Sequence, residues 1–246
     1  GLTSDGGYQM RIFRSENPDG PYVDCYGTSA LFESYKMNYS STTADNRGVL
    51  LFGGYQWDAM SGAEIAQGHN SAFVDKQNRS FVVYHTRFSN GGEGHQVRVH
   101  QLFLNDEGWL MAAPFEFDGE TITDGAIASK ASIADADIAG DYQFMRHQYG
   151  QNTKAKAFET PVNITLNADG TITGAETGTW KRTAGTDYIH LTINNVVYRG
   201  VLVKQTVDYT NIPAIAISAL SSSSGSLTMG QNNFTYQQEV WAVKAD

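Results

Sequence analysis

The chain has 246 residues, with 17 Lys+Arg against 26 Asp+Glu and a formal net charge of −9. No Lys/Arg cluster is present, which argues against a nucleic-acid binder working by counterion release and equally against docking on an anionic membrane surface. Hydrophobic residues at 41% supply one or two packed cores and exclude disorder as the main state. In chain order, strands are expected first at Tyr8–Ser15, Tyr22–Tyr26 and Val49–Tyr55. Between the first two, Asn17-Pro18-Asp19-Gly20 is a turn whose Pro and Gly preset the dihedrals.

The clearest passage follows. His69–Asp75, Ser80–Phe88, His95–Leu104 and Trp109–Phe117 read as an antiparallel meander, with turns at Lys76–Arg79, Ser89–Gly94 and Asn105–Gly108. Val97 and Val99 alternate with Arg98 and His100, the period of two that buries one set. Four strands in about 45–50 residues is the size of one β-propeller blade. Residues 1–120 supply only a fraction of the four to eight blades of such a fold, so further blades are expected from elsewhere.

From Gly119 to Ala139 the pattern lapses into Thr, Ser, Ala and Asp, as in a linker or domain edge. A second β unit is expected from Asp141–His147, Phe158–Leu166, Thr171–Trp180, Asp187–Ile193, Val196–Lys204, Ala214–Leu220 and Gln238–Val243. Hairpins are signalled at Asn167-Ala168-Asp169-Gly170 and at Asn194-Asn195, the latter tolerant of positive φ. Ser221–Ser224 with Gly225 reads as a loop. The fold class is therefore all-β, with blades of a propeller over residues 1–125 and a barrel or sandwich over 137–246.

Chemistry is sparse. The single cysteine, Cys25, excludes an internal disulfide and any multi-thiolate metal site. The longest mostly apolar stretch, Ile212–Leu220, is less than half a membrane span, so a soluble mature chain is expected. Phosphate-loop, nucleophile-elbow, zinc-protease and dinucleotide motifs are absent, and Gly91-Gly92-Glu93-Gly94 sits between strands as a hairpin loop. His85, His95 and His100 lack a zinc-ligand spacing and read as cross-strand hydrogen-bonding groups. His69 differs because it opens the blade's innermost strand, which borders the central channel. Asp75, Asp106, Glu107, Asp118 and Glu120 lie at turns and are poor candidates for a glycosidase acid–base pair; Glu64, near His69, is less clear.

These residues carry a family resemblance. The run Gly7–Asp24, then Gly68-His69-Asn70-Ser71, Val83–Phe88, Val97–Gln101 and Gly108-Trp109 together resemble the late blades of glycoside hydrolase family 43 arabinanases. Ile138–Phe144 resembles the start of the β-barrel accessory domain of the two-domain members. The resemblance implies a five-bladed propeller that hydrolyses α-1,5-linked L-arabinan with inversion, with its catalytic carboxylates in earlier blades. No catalytic carboxylate is therefore assigned here, and an N-terminal half of the propeller, as a separate or nicked chain, is the expected partner.

Carried over residue by residue, His69 matches the family histidine facing a hydrated cation, calcium or alternatively sodium. Trp57, with Tyr55, is a candidate for lining the sugar groove, and Arg87 for supporting the channel wall. The implied substrate is plant cell-wall arabinan or its oligosaccharides, and its polymeric nature implies an extracellular or periplasmic location. Two readings compete: a non-catalytic carbohydrate-binding or scaffold protein, and an exo-arabinofuranosidase or xylosidase of the same family.

Overall fold

The computed structural model describes residues 10–31, 48–92, 94–147, 158–221 and 238–245. The start of the first expected strand, the Gly1–Gly7 segment and the serine run after Ser221 lie outside the described residues. A short antiparallel pair, β1 (Met10–Ile12) and β2 (Val49–Phe52), comes first. The meander follows as β3 (Glu64–Val74), β4 (Ser80–Phe88), β5 (His95–Leu104) and β6 (Leu110–Ala112), hydrogen-bonded in that order.

Strands β4 and β5 have the limits read from the sequence, whereas their neighbours do not. β3 starts at Glu64 rather than His69, because left-handed residues at Ala66 (φ 55°) and His69 (φ 49°) interrupt the alternation that marks a strand. β6 ends at Ala112 because Pro114 has no N–H to give the ladder, although Ala113 and Phe117 still donate to Gln101 and Val99. Expected strand Tyr22–Tyr26 reduces to a bridge at Val23, paired with Arg14 and Ser29.

The second unit is a closed barrel of β7 (Gly140–Arg146), β8 (Val162–Leu166), β9 (Thr171–Gly174), β10 (Gly178–Arg182), β11 (Tyr188–Ile193), β12 (Val196–Thr206), β13 (Pro213–Ser221) and β14 (Glu239–Lys244). Each strand pairs antiparallel with its sequence neighbour, and β14 closes on β7. Closure removes the edges that an open sheet would expose. It needs one strand more than the sequence suggested: Thr171–Trp180 is two strands, not one. The break follows Gly174 (φ +110°), where a Cβ would stand 2.7 Å from the Asn163 carbonyl oxygen. The Asn194-Asn195 hairpin forms as read, with φ of 50° and 65°.

Period-two alternation sorts the barrel residues onto two faces. Tyr142, Phe144, Leu191, Ile193, Leu202 and Ile217 point inward and fill the interior with apolar side chains. Met145, Val201, Val203, Ala216, Trp241 and Val243 point outward, yet they too are buried, because they share a second core with Phe52, Trp57, Tyr84 and Phe115 of the first unit. Polar contacts stitch the same seam: Phe115 and Gln205 exchange hydrogen bonds of 3.3 and 3.2 Å, and Trp241 Nε1 donates to the Ala112 carbonyl at 3.1 Å.

The expected linker Gly119–Ala139 is folded and belongs to both units. It contains α1 (Asp124–Ser129), capped by the Thr123 hydroxyl, and α2 (Asp135–Ile138). Ile127 packs into the shared core, while Ile133 and Ile138 pack into the barrel interior. Asp187 accepts from the Ser132 amide at 2.9 Å, and Arg182, paired with Asp187, donates to the Ile133 carbonyl at 2.5 Å. Small polar residues suggested a loose tether in the sequence; the three isoleucines anchor it.

Candidate functional site

Cross-strand register places His85, Arg87, His95 and Val97 on one face of the four-stranded sheet, since His85 pairs with Val97 and Arg87 with His95. On β3, Gly68 pairs with His85, and bulges on either side of Gly68 swing His69 towards this face. The His69 ring stands 5.9 Å from His85 and the His85 ring 5.0 Å from His95, both edge to face. Arg87 Nε donates to His95 Nε2 at 3.2 Å, so that nitrogen carries no proton and His95 holds its own on Nδ1.

Partial burial lowers the His85 pKa, and the neighbouring His95, Arg87 and His69 lower it further, so His85 is neutral at neutral pH. His69 is exposed, and its left-handed φ of 49° is a conformation that a side-chain-bearing residue adopts at a cost of about 1–2 kcal/mol. Among the described residues no cluster of three His, Cys, Asp or Glu side chains is placed to hold a metal ion. The three histidines form a row across one face of the sheet.

Other sequence candidates lie elsewhere. Trp57 is only 2% exposed and packs between Phe115 (5.6 Å) and Trp241 (6.3 Å) in the shared core, so its ring has no open face for a sugar. Tyr55 is likewise buried, edge-on to Trp241 at 5.1 Å. The apolar barrel surface claims both rings, and residues 49–57 alone contain no sign of it. Arg87 is nearly buried, but on the histidine face. Glu64 is sealed beneath the sheet, bonded to Arg98 Nε at 2.8 Å, so it cannot reach a substrate.

Sequence reasoning missed the group around Arg98. The alternation in β5 buries Arg98 and His100, while Val97 is 66% exposed, so the face that packs inward is the polar one. Arg98 binds Glu64 and Glu116 (3.3 Å) and donates to the Tyr209 hydroxyl at 2.9 Å, joining the sheet to the β12–β13 loop. Burial, with the nearby Glu116 charge, pushes the Asp208 pKa up to about 7. His100 Nδ1 lies 2.7 Å from the Ala113 carbonyl, and burial takes its pKa down to about 4. A lone Arg in a strand, flanked by valines, was the available signal: a buried guanidinium demands buried carboxylates.

Beyond Glu64, which bridges to Tyr55, the outer edge of β3 has no partner strand among the described residues, and Phe73 (49% exposed) and Val74 add apolar surface to it. A blade-like meander packed through a shared core on a closed up-and-down barrel defines a two-part all-β protein, and the histidine row runs across one face of the meander from the β3 edge to β5. Residues 114–230 match the C-terminal lipocalin-like domain of glycoside hydrolase family 43. The chain is similar to the C-terminal part of glycoside hydrolase family 43 proteins.

Similarity extends beyond the barrel. The chain is 36% identical over 229 residues to extracellular endo-α-(1→5)-L-arabinanase 2 of Bacillus subtilis, covering 91% of this chain and 46% of that protein. It is 40% identical over 216 residues to the extracellular endo-α-(1→5)-L-arabinanase of Thermotoga petrophila, covering 83% and 42%. The crystal structure of the family 43 YxiA protein from Bacillus licheniformis superposes with a TM-score of 0.82 at 34% identity, covering 99% of this chain and 50% of that one. The chain thus spans about half the length of the relatives it matches.

Proposed function

We propose that the chain is the C-terminal part of an inverting endo-1,5-α-L-arabinanase. In this reading an N-terminal polypeptide, separate or nicked, completes the propeller and supplies the acid and base carboxylates. The observation that carries it is the outer edge of β3, which beyond Glu64 has no strand partner among the described residues, exposes Phe73 and Val74, bears His69 and lies beside His85, Arg87 and His95. Further blades arranged around that edge would leave it facing the central channel, with the histidine row as part of the channel wall. Similarity to two extracellular endo-arabinanases supports the substrate, plant cell-wall arabinan or its oligosaccharides, and an extracellular or periplasmic location.

Inversion needs an acid and a base about 6.5–9.5 Å apart with water between them. The residues of this face would serve that pair without joining it. Arg87, held by His95, would donate to sugar hydroxyls or to a carboxylate of the facing blade. His69 would hold one hydrated cation, calcium or sodium, which supplies a fixed positive charge beside the acid. With a single imidazole as protein ligand, water would fill the rest of the coordination shell, and His69 transfers no proton.

The test mixes the chain with a polypeptide covering the remaining half and follows reducing-end release from linear arabinan, with polarimetry for the stereochemistry. His69→Ala is expected to lower kcat by about 10- to 1,000-fold, with metal content falling in parallel. A folded complex without arabinan hydrolysis would refute the activity. Unchanged kcat and metal content in the variant would refute the role of His69.

A further inference from the structure

Where the blade and barrel meet, a cleft of about 290 Å³ opens among Met60, Ser61, Phe88, Asn90, Gln96 and Tyr209. We propose that it is a carbohydrate-docking pocket, separate from the histidine face, that takes about one sugar ring of an arabinan chain. The sugar class rests on the arabinanase reading; the pocket rests on its own geometry.

Among the described residues none of the side chains lining the cleft is charged, which favours a neutral ligand over a nucleotide or an acidic peptide. The lining alternates ring and sulfur surface (Tyr209, Phe88, Met60) with amide and hydroxyl groups (Asn90, Gln96, Ser61). A saccharide presents the matching pattern, C–H faces bordered by hydroxyls that both donate and accept. The volume is near the lower end of small-ligand pockets, about 300 Å³.

The platform is built rather than incidental. Tyr209 is 62% exposed, yet it is fixed at both ends. Its backbone is left-handed (φ 62°) in a turn closed by the Thr210 amide on the Val207 carbonyl at 3.1 Å. Its hydroxyl accepts from Arg98 Nη2 at 2.9 Å. The Arg98 side chain is itself only 8% exposed, is locked by Glu64 and Glu116, and lies 5.4 Å from the centre of the Phe88 ring. One buried guanidinium thus orients both aromatic walls, so little rotamer entropy is left to lose on binding.

The amide wall is shaped with similar economy. Asn90 Nδ2 donates to the Ser61 carbonyl at 3.2 Å, which leaves its Oδ1 for a ligand hydroxyl. It can lie there only because residue 62 is Gly: a Cβ at that position would meet Asn90 Oδ1 at 2.5 Å. Phe88 follows Arg87 and Gln96 follows His95, so the cleft lies at the same strand ends as the histidine face, on the reverse side of the sheet. A polymer crossing that end can touch both, whereas a monosaccharide cannot.

The test is calorimetric titration of the 246-residue chain with linear α-1,5-arabino-oligosaccharides, and with xylo-oligosaccharides of equal length. Saturable arabino-oligosaccharide binding is expected. Tyr209→Ala should weaken it about tenfold or more, and Tyr209→Phe, which keeps the ring, about threefold or less. Thermal midpoints should stay close to that of the parent, since the ring is mostly exposed. Gly62→Ala should weaken binding by displacing Asn90. Equal binding by Tyr209→Ala, or no binding of either sugar by the folded chain, overturns the pocket and leaves the hydrolase reading to its own activity assay. Tyr209-dependent binding of xylo-oligosaccharides alone upholds the pocket and overturns arabinan as its ligand.

Discussion

Replacing Trp241 by Ala probes whether blade and barrel are one cooperative structure. The ring projects outward from β14, is fully buried, and touches Phe52 (5.5 Å), Tyr55 (5.1 Å) and His147 (4.1 Å). An indole of this kind buries about 150–250 Å², worth roughly 4–6 kcal/mol at about 25 cal/mol per Å². Its Nε1 also donates to the Ala112 carbonyl and to Glu239 Oε1 (2.9 Å), a carboxyl that burial pushes well above the usual range. Losing that donor leaves two buried acceptors short, at about 1 kcal/mol or more each. Partial collapse of the cavity offsets some of the sum, and Trp→Ala costs in cores run about 3–5 kcal/mol. Urea unfolding followed by circular dichroism should therefore show a loss of about 4 kcal/mol. Amide exchange in β4 and β12 should accelerate together, because the ring belongs to the core that joins them. A loss below about 1 kcal/mol, or exchange faster in β12 alone, would refute the shared-core argument.

Two further outcomes follow from the seam and the barrel. His100 and His147 are buried neutral with pKa values taken down to about 4 and about 3, below the ordinary 6.5, so below pH 6.5 the unfolded chain takes up protons the folded one refuses. Their contribution is complete above pH 6.5 and is lost as pH falls towards 4 and 3, at about 1.4 kcal/mol per pH unit for each. His100→Asn, which preserves a donor towards the Ala113 carbonyl, should flatten the stability slope between pH 6.5 and 5 by about 2 kcal/mol; an unchanged slope in paired urea titrations would contradict the buried-neutral assignment. The buried Asp208, raised to about 7, acts in the opposite sense by favouring the folded state at lower pH, which is why the variant is compared with its parent rather than read from one curve. In the barrel, a Cβ on Gly200 would stand 2.2 Å from the Ser218 carbonyl oxygen of the paired strand, so Gly200→Ala should destabilise by about 1–3 kcal/mol in the same unfolding assay. A neutral result would mean that β12 and β13 separate more freely than their pairing implies.

Much of the architecture was legible because local pattern and turn chemistry agree with it. The limits of β4 and β5, the Asn194-Asn195 hairpin and the all-β class all follow from period-two alternation between residues able to adopt positive φ. The family was legible because residue types recur in order along both units. Reading failed where a residue's environment comes from far along the chain. Trp57 carries the same aromatic signal whether it faces a sugar or Trp241, and only barrel closure put Trp241 against it. Val97 and Arg98 alternate equally well in either orientation; the carboxylates of Glu64 and Glu116, brought together by tertiary pairing, made the arginine face the buried one. Isoleucines at 127, 133 and 138 turned an apparent tether into an anchored strap. Most strands, the turns and the family likeness follow from the chain alone, since these depend on near neighbours and composition. Which face of each strand is inside, and so which side chains are left to meet a ligand, depends on packing in three dimensions, because burial is set by partners distant in sequence.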